Sequence, residues 1–156
     1  MDKKVFDTAV EELLSEARSL IPEELFPDQP YVSGTDTGWY SFELKLWSKG
    51  EELRQLLTAS GRRLTAEQAA AVLSICLEPK AKRGRQSFLL LLGRTCFACH
   101  AQAVAGLLSD PHVAGQAIDT LCKMRVPGFS GDIEPFLSHE KTWVRNCAKR
   151  YLAKYQ

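Results

Sequence analysis

The feature that most constrains the fold is an internal repeat in the C-terminal half. The segment AVAGLLSD (103–110) aligns with DIEPFLSH (132–139) at an offset of 29 residues. After a two-residue insertion, DPHVAGQAIDTL (110–121) aligns with KTWVRNCAKRYL (141–152) at an offset of 31. A weaker third copy covers residues 68–94. Apolar residues recur at helical spacing within the copies, which predicts that each copy forms a pair of helices.

The second helix of each copy carries an apolar stripe with a small residue at its centre. The equivalent positions are Val113 with Val144, Ala117 with Ala148, and Leu121 with Leu152. The central alanine lets the two helices of a pair approach closely. Asp110 stands where an N-cap is expected, and Pro111 suits the first position of the helix that follows.

The segments LLSDPHVAGQAIDTL and FLSHEKTWVRNCAKRYL resemble HEAT-like repeats, whose pattern is L-x-D-x-x-x-V-R-x-x-A-x-x-x-L. Arg145 stands at the arginine of that pattern, whereas Ala114 replaces it in the preceding copy. The resemblance covers about 90 of the 156 residues. It implies an all-α fold, a short right-handed α-solenoid with three HEAT-like (armadillo-type) repeats over residues 64–156. Residues 1–63 would form an N-terminal helical cap in the same single domain.

The cap begins with a clear helix signal. Apolar residues recur at steps of three and four after Asp2, which stands at an N-cap position; they are Phe6, Val10, Leu13, Ala17 and Leu20. Residues 21–38 are rich in proline and glycine, which predicts a long loop.

The stretch WYSFELKLW (39–47) fits either a half-buried strand or a helix. We favour a helix, because a lone strand would have no pairing partner. Gly50 is expected to separate it from a second helix that ends at Gly61. Thr65 and Gln68 then form a capping box, and SFLLLLGR (87–94) predicts a buried central helix.

The segment CFACH (96–100) has the Cys-x-x-Cys-His spacing of a c-type haem site. The N-terminus shows no continuous apolar signal-peptide region, so we expect a cytoplasmic chain and no haem. A zinc site lacks a second cysteine or histidine pair, and a redox motif lacks the βαβ unit that usually accompanies it. We interpret CFACH as a corner between repeats, with the cysteines as small apolar residues and Phe97 facing the core.

Catalytic patterns are sparse in the chain. We find no glycine-rich phosphate loop, no G-x-S-x-G and no H-E-x-x-H, and neighbouring acidic pairs do not face each other on a helix. We therefore predict that the protein is not an enzyme and has no cofactor or metal.

Charge is distributed unevenly along the chain. Residues 1–60 contain 12 acidic and 6 basic side chains, and residues 61–156 contain 7 acidic and 14 basic ones. Aromatic side chains flanked by carboxylates suit a protein interface. The predicted partner-binding residues are Asp28, Tyr31, Asp36, Trp39, Tyr40, Glu43, Gln116 and Asp119.

These patterns predict a non-catalytic protein-binding module that is monomeric on its own and does not bind membranes. In size and organisation the chain resembles small bacterial immunity proteins, which implies a cognate toxin, such as a nuclease, as the partner. One alternative is a nucleic-acid-binding HEAT-like protein, similar to DNA glycosylases, that uses its basic side chains on phosphates. Those side chains are Lys80, Lys82, Arg83, Arg85, Arg145, Lys149, Arg150 and Lys154. A third hypothesis is that the protein is a general adaptor or assembly factor.

Overall fold

The structure, a computed structural model, describes residues 1–29 and 38–155, and these residues contain helices and loops but no strand. The α-helices are α1 (Lys3–Leu20), α2 (Ser41–Ser60), α3 (Ala66–Cys76), α4 (Gln86–Leu90), α5 (Ala101–Gly106), α6 (Ala114–Met124), α7 (Ser130–Ile133) and α8 (Thr142–Tyr155). Segments of 3₁₀ helix occupy Pro79–Arg85, Thr95–His100, Leu107–Ser109 and Glu134–Ser138. Within the described ranges, no helix is long and apolar enough to cross a membrane. The prediction of an all-α fold is confirmed.

The chain divides into two compact units, Met1–Phe88 and Leu89–Gln156. The boundary falls inside α4. The weakest of the three sequence copies, residues 68–94, therefore has residues in both units.

The first unit is organised around α1 and α2. Of the stripe expected from the sequence, α1 buries Phe6, Val10 and Ala17, whereas Leu13 and Leu20 are half-buried; α1 also buries Leu14. Asp2 precedes α1 as its N-cap residue, but its side chain makes no capping hydrogen bond. The helix over residues 39–47 is also confirmed, since α2 begins at Ser41.

The sequence suggested a helix break at Gly50, but α2 is continuous from Ser41 to Ser60. A Cβ atom on Gly50 would lie 2.0 Å from the Oγ of Ser87, whose hydroxyl donates to the carbonyl of Trp47 at 2.8 Å. Gly50 is therefore required for close packing. The helix ends at Gly61, which has the left-handed conformation (φ 66°) that terminates many helices.

α3 begins with the expected capping box. The backbone N–H of Gln68 donates to Thr65 Oγ1 at 3.1 Å, and the backbone N–H of Thr65 donates to Gln68 Oε1 at 2.9 Å. The amide of Gln68 also donates to Asp7 Oδ1 at 2.9 Å, which ties the start of α3 to α1. One side chain thus serves both local and tertiary structure.

The segment SFLLLLGR does not form the long buried helix expected from its composition. α4 is only five residues long, and Leu90 is 42 % exposed. Phe88, Leu89 and Leu92 are fully buried. The segment is therefore a short helix followed by a turn, with one side open to solvent.

The second unit contains the two well-aligned sequence copies. Each begins with a short α-helix that continues as 3₁₀ helix, and each ends with a longer α-helix, α6 or α8. Val104 of α5 and its repeat equivalent Ile133 of α7 are both fully buried. Each of the two copies therefore contains a shorter and a longer helical segment, in agreement with the sequence.

The two turns between paired helices are capped differently. Asp110 Oδ1 accepts from the backbone N–H of His112 at 3.0 Å, and the Asp110 carbonyl accepts from Ala114 N–H at 2.9 Å. α6 starts at Ala114, so Pro111 lies in the turn and not in the first helical position as expected. In the other copy, Arg145 donates to the carbonyls of His139 and Glu140 at 2.6 and 3.0 Å.

Candidate protein-binding site

α6 and α8 lie side by side through their apolar stripes. The stripe residues are almost completely buried: Val113, Ala117 and Leu121 on the α6 side, and Val144, Ala148 and Leu152 on the α8 side. Since both stripes carry a central alanine, the helices approach closely, and their remaining faces form a shared surface.

Trp143 lies directly on the backbone of α6. A Cβ atom added to Gly115 would lie 2.3 Å from Trp143 Cη2 and 2.9 Å from Val144 Cγ2. Only a glycine leaves room for the indole there. The ring nevertheless remains 44 % exposed, so it presents apolar area to solvent from a supported position.

Asp119 lies between two cationic side chains of this surface. Its Oδ2 is 2.8 Å from Lys123 Nζ, and its Oδ1 is 3.4 Å from Arg150 Nη1. The Asp119 side chain is 14 % exposed, whereas those of Lys123 and Arg150 are 55 % and 60 % exposed. The carboxylate therefore orients two cations, and the charge presented to a partner is mainly positive.

Burial, and next the negative charge of Asp119, raise the pKa of the Cys147 thiol above its ordinary value. Gln116 is half-buried in the turn before Asp119, and its carbonyl accepts from Thr120 Oγ1 at 2.7 Å. We call the surface formed by Gln116, Asp119, Lys123, Trp143 and Arg150 the α6/α8 face. It unites two of the predicted partner-binding residues with an exposed tryptophan that the sequence analysis did not select.

Tryptophan and arginine are the residue types that most often dominate protein–protein binding energies. Trp143 could have been selected from the sequence, because its stripe neighbour Val144 marks the buried side of α8. Its seating on Gly115 had no signal in a single sequence.

The predicted N-terminal site residues that the structure describes, Asp28, Trp39, Tyr40 and Glu43, lie in the first unit, where tertiary contacts engage them. Glu43 is fully buried; its Oε2 accepts from the Tyr40 N–H at 2.7 Å and its Oε1 from the Arg83 N–H at 2.9 Å. The Glu43 carboxylate thus joins two chain segments and is not part of a surface.

Other predicted N-terminal residues are less deeply placed. The Tyr40 hydroxyl donates to the Pro27 carbonyl at 2.6 Å, and its ring stacks on Phe42 with centroids 5.6 Å apart. Asp28 pairs with Lys82 while its own side chain is 66 % exposed. Trp39 lies beneath the Arg83 guanidinium, 5.3 Å from carbon to ring centroid. The remaining two, Tyr31 and Asp36, lie outside the described residues.

The basic cluster of residues 80–85 is largely internal. Lys82 and Arg85 are 2 % and 1 % exposed. Lys82 Nζ donates to the Phe26 carbonyl at 3.0 Å, and Arg85 Nε donates to the Lys82 carbonyl at 2.6 Å. Lys82 also has a positive φ of 50°. Because these cations bind the protein's own carbonyls and carboxylates, they are not displayed for phosphates.

The CFACH segment is placed partly as expected. Phe97 is buried, in agreement with the sequence, but Cys96 and Cys99 are exposed and do not fill an apolar corner. Among the described residues, no group of three or more histidine, cysteine, aspartate or glutamate side chains is placed to hold a metal ion.

A groove of about 640 Å³ lies between α1 and α3 in the first unit. Its lining includes Asp7, Glu11, Arg18 and Glu67, with charges of both signs. No sequence pattern indicates this groove, because it depends on how two helices far apart in the sequence pack.

No protein-family model, curated protein or solved structure matches this chain.

Proposed function

We propose that this chain is a non-catalytic protein-binding module whose α6/α8 face contacts its partner. The observation that carries the proposal is the position of Trp143, which is seated on Gly115 and still 44 % exposed. An aromatic side chain fixed in this way loses little conformational freedom on binding. Lys123 and Arg150 beside it would pair with carboxylates of the partner.

The proposal includes a stack of HEAT-like helix pairs, because residues one repeat apart are in contact. Asp119 pairs with Arg150, 31 positions later, and Thr120 Oγ1 lies 3.2 Å from the Leu89 carbonyl, 31 positions earlier. Contacts at a constant sequence offset are typical of stacked repeats. Gly115 meets Trp143 and Asp119 meets Arg150, so the contacts run in the same direction along α6 and α8.

The role we propose is that of a cytoplasmic immunity protein, monomeric alone, that binds and neutralises a cognate bacterial toxin domain. The size and helical-repeat organisation support this role. The mainly positive α6/α8 face differs from the carboxylate-rich interface expected from the sequence: the toxin would offer an apolar pocket for Trp143 bordered by carboxylates.

The test is co-expression with each toxin domain that a neighbouring gene encodes, followed by affinity measurement on the purified proteins. We expect one-to-one binding and protection of the cells. Trp143→Ala should weaken binding by about tenfold or more, as for a central aromatic contact. Trp47→Ala is the matched control, because Trp47 is 37 % exposed but lies on α2 in the first unit. Absence of protection, or equal losses for the two variants, would refute the proposal.

Nucleic-acid binding is the second candidate, and the exposed cations Lys149, Arg150 and Lys154 of α8 favour it. It has less support than the sequence suggested, because Lys82 and Arg85 are buried and Arg145 binds backbone carbonyls. It predicts binding to DNA or RNA that weakens steeply as salt rises. Retention of nucleic acid at low salt, lost in a Lys149→Ala/Lys154→Ala variant, would support this candidate over the first.

A further inference from the structure

In the CFACH segment, core packing accounts for Phe97 but not for Cys96 and Cys99. Phe97 is 4 % exposed and anchors the 3₁₀ helix Thr95–His100 in the second unit. Cys96 and Cys99 flank it and are both exposed. Neither thiol fills a gap in the core, and neither belongs to the α6/α8 face defined above.

The two cysteines are three residues apart, in two short 3₁₀ turns that meet at a kink at Phe97 (φ −106°, ψ 15°). At the rise of about 2 Å per residue that is typical of 3₁₀ helix, three residues span about 6 Å. Disulfides commonly join Cα atoms about 4.4 to 6.8 Å apart. The two backbone positions therefore lie near the range that a disulfide can span.

The other three cysteines are protected from the same chemistry. Cys76, Cys122 and Cys147 are buried in helices. Burial raises the pKa of the Cys76 thiol to about 12, and burial also raises the pKa of Cys147. Because the thiolate is the reactive form, oxidants should reach Cys96 and Cys99 selectively.

We propose that Cys96 and Cys99 form a reversible oxidation site that takes small disulfides, such as oxidised glutathione, and closes to an internal disulfide. The described residues contain no strand and therefore no βαβ unit, which a thioredoxin-like catalyst would have, but reversible disulfide formation does not require one. The proposal is independent of the function proposed above.

The reaction proceeds by two thiol–disulfide exchanges. The thiolate of one cysteine attacks the S–S bond of oxidised glutathione, which forms a mixed disulfide and releases one glutathione thiolate. The thiolate of the second cysteine then attacks the protein sulfur of that mixed disulfide. The Cys96–Cys99 bond forms and the second glutathione leaves. The two thiol protons pass through solvent to the released glutathione thiolates, and oxidised glutathione has gained two electrons.

The test uses the full chain in buffers with different ratios of reduced to oxidised glutathione. After an acid quench, free thiols are alkylated and the protein is digested with trypsin. Cleavage after Arg94 and Lys123 gives one peptide that contains Cys96, Cys99 and Cys122. We expect this peptide to lose two alkylation sites together as the oxidised fraction rises, without bound glutathione, while Cys122 stays alkylated.

Single-cysteine variants distinguish an internal Cys96–Cys99 disulfide from independent modification of two exposed thiols. Cys96→Ser and Cys99→Ser should each stop at one bound glutathione, whereas Cys122→Ser should still form the internal bond. Far-UV circular dichroism checks that each variant folds. The proposal is overturned if the wild-type chain carries glutathione on both cysteines at every ratio, or if it forms disulfide-linked dimers in place of the internal bond.

Discussion

Gly115 and Trp143 fit each other so closely that a Cβ atom on the glycine would lie 2.3 Å from the indole Cη2. The contact joins α6 to α8, and it supports the only residue of the α6/α8 face that combines a large apolar surface with exposure. Side-chain size at residue 115 therefore controls how Trp143 is presented.

Gly115→Ala should displace the indole and destabilise the protein by about 1 to 3 kcal/mol, because an added methyl group overpacks the contact. Tryptophan fluorescence and urea unfolding measure the two effects. Gly106→Ala is the control: residue 106 is helical and an added Cβ meets nothing within 4 Å. That change should stabilise by about 0.5 kcal/mol or more, since alanine favours helix over glycine. Equal effects of the two substitutions would contradict the close fit.

Removal of the Glu43 carboxylate should destabilise the first unit. Glu43→Ala leaves the part-buried N–H groups of Tyr40 and Arg83 without their acceptor, which should lower the free energy of unfolding by about 2 to 4 kcal/mol. Chemical denaturation followed by circular dichroism gives the value.

Glu52→Ala on the same helix tests whether burial is the cause. Glu52 pairs with Lys49 at 3.2 Å, but its side chain is 49 % exposed, so the loss should stay below about 1 kcal/mol. If Glu43→Ala were as mild as Glu52→Ala, the carboxylate would not be joining the two segments.

Arg145 should matter more for stability than Arg150, although both lie on α8. Arg145 donates to the His139 and Glu140 carbonyls, and Arg145→Ala should cost about 1 to 2 kcal/mol. Arg150→Ala removes an exposed pair with Asp119 and should change stability by less than about 1 kcal/mol. Thermal unfolding of the wild type and both variants measures these losses. A larger loss for Arg150→Ala than for Arg145→Ala would contradict the capping role of Arg145.

Asp7 should make part of the fold sensitive to acid. Hydrogen bonds from Lys3 and then Gln68 lower the pKa of Asp7 below its ordinary value of 3.8. A lowered folded-state pKa means that ionised Asp7 stabilises the fold above pH 3.8, and that this contribution is lost as pH falls through the folded value.

Asp7→Asn should therefore be less stable than the wild type at neutral pH, and the difference should shrink below pH 3.8. Urea unfolding midpoints recorded across that range provide the measurement. Lys3→Ala, which removes one of the two hydrogen bonds and leaves the capping box of α3 intact, should give an intermediate difference. Stability curves that stay parallel at every pH would exclude the Asp7 contribution.

The native protein should show two classes of thiol. Cys96 and Cys99 are exposed, whereas burial raises the pKa of Cys76 to about 12. A thiol-reactive dye at neutral pH should label the exposed pair at least about a hundredfold faster than Cys76, since Cys76 is buried and its raised pKa leaves little thiolate. Denaturant should remove the difference, and a single rapid phase for all five cysteines of the native chain would refute it.

Some of the site was accessible from sequence and some was not. The stripe of Val113, Ala117 and Leu121 placed Gln116 and Asp119 on the open side of α6, because helical periodicity assigns faces locally. Local reasoning failed where a polar residue had a distant partner. Glu43 and Lys82 were expected at the surface, but each is buried against groups about 40 to 56 positions away. No residue within a helical turn of Glu43 or Lys82 indicates a partner so distant in the sequence.

The sequence by itself determined the helical class, the apolar stripes, the Thr65–Gln68 capping box and the end of α2 at Gly61, because these depend on interactions within a few residues. Only the tertiary structure decided that α2 continues through Gly50, that Lys82 and Arg85 are internal, and that Trp143 rests on Gly115. Each of these outcomes depends on a close approach between segments far apart in the chain, where the available space and the hydrogen-bond partners are set by packing.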